Sequence, residues 1–146
     1  MKHAFPDTAK QAAEEYLWFL SKGYPQAAAL KLVGDKFKLT RDMRQVLYRG
    51  VVPAQAASVR SEKIGTVRKG DLVLIDTYNV LFTVNNYLLG RPLFISNDGM
   101  LRDAGEMRGR IINKPQFTRS VAMMLEILQM WPEATFIHYL DEPVSH

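Results

Sequence analysis

The chain has 146 residues, 47% of them apolar and 23% charged, a composition that excludes general disorder. It has no cysteine, which excludes disulfides and thiolate metal sites. The formal net charge of +4 is unevenly spread: residues 22–70 hold 11 Lys/Arg against 3 Asp/Glu, and residues 71–146 hold 6 against 9.

A basic block attracts polyanions without regard to their sequence, and clustered carboxylates attract cations. No apolar run reaches the roughly 18 residues that span a bilayer. The opening "MKHAFPDTAK" lacks a signal-peptide core. A cytoplasmic protein with no membrane contact is expected.

Residues 7–22 predict a helix, with Asp7 as its cap, Gly23 as its stop, and Ala13, Tyr16, Leu17 and Leu20 on one apolar face. Trp18 and Trp131 are read as core residues. Pro25 opens a second helix that should run to about Val33 and end at Gly34. "DKFKL" is a connector. Thr40 caps a third helix, with Met43, Val46 and Leu47 facing inward until Gly50. Pro53 opens a fourth, "AQAASVRSEK". Residues 1–63 are thus expected to form a basic helical unit. Its second and third helices resemble a helix-turn-helix presenting Lys36, Lys38, Arg41, Arg44, Gln45 and Arg49, side chains suited to phosphate or groove contact. An ordinary helical hairpin with a solvated basic face is the plainer alternative.

Residues 64–71, "IGTVRKGD", read as a linker. From there to residue 146 the pattern is α/β. Leu72–Asp76 is a strand, Val80–Leu89 a helix ending at Gly90, and Pro92–Ser96 a second strand. "NDG" is a turn signal. Met100–Arg110 is expected to be partly helical, Phe117–Met130 a helix, and Thr135–Leu140 a third strand. Strands alternating with helices imply three parallel strands flanked by helices.

That arrangement gives the acidic residues a shared place. Asp76 ends the first strand, Asp98 follows the second and Asp141 follows the third. The carboxyl edge of a parallel sheet is where such folds build sites. Asp103 lies five residues beyond Asp98 and could reach the same edge. Converging carboxylates repel one another, and Mg²⁺ or Mn²⁺ relieves that repulsion through oxygen ligands. Alternatively each Asp caps a helix or makes a turn. His3, His138 and His146 lack metal-ligand spacing; His138 is read as a packed or edge histidine. There is no phosphate loop and no nucleophile elbow.

Several stretches, "LSKGYPQAAALKLVGDKFKLTRDMRQVLYRG", "LIDTYNVLFTV", "NDGMLRDAGEMRG" and "LDEPVS", closely resemble a prokaryotic domain-of-unknown-function family, number four-three-four. The resemblance covers about residues 10–145 and implies a short helical domain joined to a PIN/NYN-like domain. PIN and NYN ribonuclease domains place an Asp after the first strand and bind Mg²⁺ or Mn²⁺. Asp76 matches that Asp, and Asn79 the Asn of a D-x-x-N pattern. Asp98, Asp103 and Asp141 match further acidic positions. This chain has Asn85 where the family usually has an acidic residue, and it stops soon after "PVS", so the α/β unit is expected to be a shortened one.

The resulting expectation is a metal-dependent nuclease, with RNA rather than DNA the expected nucleic acid. Asp76, Asp98, Asp103 and Asp141 would be its metal ligands and Asn79 would orient a ligand or water. Arg102 would contact phosphate or simply pair with the neighbouring Asp103, and the basic helical unit would hold the polyanion. The alternative is a non-catalytic nucleic-acid binder with a degenerate PIN-like platform that can form homo-oligomers.

Overall fold

The computed structural model describes residues 5–104 and 115–140. The chain divides into two compact units. One, the helical unit, comprises Met1–Ile64 together with Leu93–Ala104; the other, the sheet unit, comprises Gly65–Pro92 together with Gly105–His146.

In the helical unit the order is α1 (Asp7–Ser21), α2 (Gln26–Lys36), α3 (Arg41–Gly50) and α4 (Ala54–Ser61). The core is built by Ala12, Tyr16 and Leu20 of α1, Ala29 and Val33 of α2, Leu47 of α3, and Val51. Pro6, not Asp7, precedes the first turn of α1, and Asp7 instead pairs with Lys10 at 3.0 Å. At the other end Gly23 takes φ +78°, with Gly23 N–H bonded to Leu20 O and Tyr24 N–H to Phe19 O. This is a Schellman turn, which needs a left-handed residue. Trp18 is not in the core: it lies two residues from both Tyr16 and Leu20, roughly 200° away around the helix, and is 53% exposed.

Gly34 does not end α2. The helix runs on to Lys36, and the missing Cβ leaves room for the guanidinium of Arg44 to lie against the backbone. The chain reverses two residues later at Lys38, φ +49°. Thr40 caps α3 as expected, accepting from Met43 N–H.

Two strands complete this unit: β2 (Leu93–Ile95) and β3 (Leu101–Asp103), paired antiparallel with Phe94 opposite Arg102. They correct two expectations. The second strand does not join a parallel sheet with Leu72–Asp76, and the start of Met100–Arg110 is strand rather than helix; residues 105–110 lie outside the described residues. The physical reason is the short "SNDG" link. Gly99 at φ +82° closes a turn, Gly99 N–H to Ser96 O, and Ser96 N–H meets Met100 O. Such a link can only fold the chain back on itself, since parallel strands need a crossover of a dozen or more residues. The hairpin packs on α3, where Phe94 rests on Gly50 and Asn97 bonds both the N–H and the C=O of Val52.

The sheet unit contains β1 (Leu72–Asp76), α5 (Thr77–Leu88), α6 (Pro115–Leu128) and β4 (Thr135–Tyr139). β1 and β4 are parallel, with Leu74 opposite Ile137 and Asp76 opposite Tyr139. Among the described residues these two strands form the whole sheet. Ile75, Thr77, Leu81, Asn85, Asn86, Ser120 and Met124 are buried in this unit. The opposite face of the sheet carries Leu72, Leu74, Ile137 and Tyr139, all exposed.

Candidate functional site

At the carboxyl end of β1 the chain passes directly from strand to helix, and Asp76 is the hinge residue. It is the N-cap of α5: Oδ1 accepts from Asn79 N–H at 3.4 Å and Oδ2 from the Asn79 side-chain amide at 2.6 Å. The carboxylate is exposed. The start of a helix carries partial positive charge, so an anionic side chain is favoured here. The strand therefore delivers an Asp because the helix that follows needs its first turn satisfied, and water solvates what remains.

Behind it Thr77 is buried. Its hydroxyl lies 3.1 Å from Nδ1 of His138 on β4 and 3.3 Å from Ile75 O. Ile75 and His138 are register partners, so this contact ties the ends of the two parallel strands together. Sequence reasoning missed Thr77; its only signal is a hydroxyl residue directly after the strand. Between α5 and α6 the buried Asn85 meets the Ser120 hydroxyl at 3.5 Å, so the amide serves as a helix-packing contact.

The other acidic candidates do not join this edge as strand ends. Asp98 and Asp103 belong to the helical unit and are almost fully buried there. Asp98 accepts from the Ser96 hydroxyl, from Met100 N–H at 3.1 Å, from Arg102 at 2.7 Å and from Arg60 at 3.3 Å. Burial pushes its carboxyl up, but these donors outweigh burial and hold it well below the usual carboxylate range. Asp103 receives both terminal nitrogens of Arg49, at 3.0 and 3.3 Å. The charge facing these carboxylates is that of arginines. Asp141 lies outside the described residues. Among the described residues no group of three acidic or histidine side chains is arranged to hold a metal ion.

The basic candidates are similarly engaged. Lys36 pairs with Glu15 at 2.5 Å and Arg44 with Asp35 at 2.9 Å, while Arg49 and Arg102 hold Asp103 and Asp98. Lys38 and Arg41 are exposed, one on each side of Thr40 at the start of α3. Arg60, which sequence reasoning passed over, is a partner of Asp98 from 38 positions away.

Residues 66–146, more than half of the chain, match the family described as Domain of unknown function (DUF5616), and the chain belongs to that family. Residues 9–63 match the model described as Protein of unknown function (DUF434). The uncharacterized protein MJ0935 of Methanocaldococcus jannaschii is 25% identical over 138 residues, which are 93% of this chain and 66% of the relative. The chain thus spans just under two thirds of that relative's length. No solved structure matches the chain. None of the described helices is long and apolar enough to cross a membrane.

Proposed function

We propose that the sheet unit is a PIN-like module acting on RNA phosphodiesters with the help of one divalent cation, and that the helical unit holds the nucleic acid. The observation that carries the reading is the exposed Asp76 at the carboxyl end of a parallel strand, with the Asn79 amide on its carboxylate. Asp76 and Asn79 supply oxygen donors that suit Mg²⁺ or Mn²⁺. Asp98 and Asp103 do not fit that role while arginines occupy them. When bound, the ion lowers the pKa of a coordinated water and offsets charge on the phosphate. Asn79 aims the Asp76 carboxylate, and Thr77 with His138 holds the two strand ends in place. Lys38 and Arg41 offer charge to the polyanion.

Calorimetric Mn²⁺ titration of the wild type and Asp76→Asn, alongside cleavage of a labelled single-stranded RNA with Mn²⁺ or EDTA, tests this. Binding and cleavage should both require Asp76. A wild type that binds no Mn²⁺ at millimolar concentration defeats the reading.

A second reading is favoured by the arginine pairing of Asp98 and Asp103: a non-catalytic nucleic-acid binder whose exposed Leu72, Leu74, Ile137 and Tyr139 face serves self-association. It predicts RNA binding without cleavage and a concentration-dependent sedimentation coefficient.

A further inference from the structure

Trp18 and Tyr24 stand half out of the helical unit, 53% and 51% exposed, on either side of Phe19. The Phe19 ring meets Trp18 at 5.1 Å and Tyr24 at 5.2 Å, both edge-on. The Schellman turn at Gly23 fixes Tyr24 in this row. The three rings form one contiguous row that is open to solvent at Trp18 and Tyr24.

The row has cations at both ends. Lys22 Nζ lies 6.0 Å from the Trp18 ring. At the other end Tyr24 lines a cleft of about 300 Å³ together with Gln26, Pro53 and Arg60. Arg60 and Arg102 share one oxygen of Asp98, so two cations stand on one buried carboxylate and the cluster keeps a net positive charge. Arg102 holds that oxygen more closely than Arg60 does, 2.7 against 3.3 Å, and the Arg60 side chain is 49% exposed. The cleft therefore offers an aromatic ring, an amide and a guanidinium with charge to spare.

We propose that this surface binds single-stranded nucleic acid, with bases stacked on Tyr24 and Trp18 and a backbone phosphate at Arg60. The inference rests on nucleic acid being the partner, as the proposed function has it, and adds which form and which face. Stacking requires bases free of pairing, and it tolerates any sequence because every base has a π-face. It adds to Lys38 and Arg41 a contact at the end of α1 and at Arg60 in the last turn of α4, whereas Arg44 and Arg49 of α3 are tied to carboxylates.

Binding of a fluorescein-labelled oligoadenylate to the full chain in EDTA tests the idea without reference to cleavage. Tyr24→Leu and Trp18→Leu should each weaken binding about fivefold or more, and Tyr24→Phe should bind as the wild type does. In a Trp131→Phe background the oligonucleotide should quench Trp18 emission. Duplex RNA of the same length should bind more weakly than the single strand. Affinity unchanged in both leucine variants, or unquenched Trp18 at saturation, overturns the proposal and points to a protein partner for this face. Because the assay omits the cation, the two readings fail separately: a wild type that binds the oligonucleotide and quenches Trp18 but does not cleave RNA in Mn²⁺ sinks only the hydrolytic reading.

Discussion

Arg49 of α3 and Asp103 of β3 form a two-pronged ion pair across 54 positions of sequence, with the carboxylate only 2% exposed. Removing one member strands the other, which typically costs about 3–5 kcal/mol for a fully buried pair. Arg49 is partly exposed, so Arg49→Met should fall at or below the bottom of that range. Arg49→Met with Asp103→Leu should recover much of the loss. Urea unfolding of the three variants measures both effects.

Asp98 makes stability depend on acid. Its folded-state pKa is depressed, so the unfolded chain takes up the proton first as pH falls. The stabilisation is present above the unfolded range, near about 4, and is lost as pH falls through the folded value. Thermal melts should show a steep fall in Tm below about pH 4. Asp98→Asn should be less stable at neutral pH and flatter on the acid side; an unchanged acid limb would remove Asp98 as its cause.

At Asp76, capping and cation binding are separable. Asn caps nearly as well as Asp, so Asp76→Asn should leave the melting temperature close to wild type, whereas Asp76→Ala should cost about 0.5–2 kcal/mol. Both should lose Mn²⁺ in calorimetry. Equal stability of the two variants would contradict the cap.

Gly50 is a contact position. A Cβ there would lie 2.5 Å from the Phe94 ring. Gly50→Ala should cost about 1–3 kcal/mol through overpacking, more than the helix-propensity gain returns, and Phe94→Leu in that background should relieve part of it. Chemical denaturation of the single and double variants checks the coupling.

The local features were legible in the sequence because they are written in adjacent residues. Thr40 caps α3, Gly23 closes α1, and the apolar stretches at 72–76 and 135–139 are strands. Two local signals misled, Asp7 as a cap and Gly34 as a stop, but the failures that decide the site are non-local. "NDG" signals a turn, but nothing near it says that the strand before it pairs with the strand after it and leaves the parallel sheet. Asp98 and Asp103 look like strand-end ligands until Arg60 and Arg49 are seen beside them, and no spacing rule connects residues 38 and 54 positions apart. Trp18 illustrates a different limit: hydrophobicity alone suggested the core, while its angle from Tyr16 and Leu20 put it outside.

The hairpin Leu93–Ala104 is seated in the helical unit, yet the chain on each side of it belongs to the sheet unit. The backbone therefore crosses between units three times, at 64–65, 92–93 and 104–105. A protease cut in the 64–65 linker would not release two products, because the hairpin remains clasped by α3 through Phe94, Asn97 and Asp103. Fragments 1–64 and 65–146, made separately, should behave as complementing halves that find each other through twelve residues.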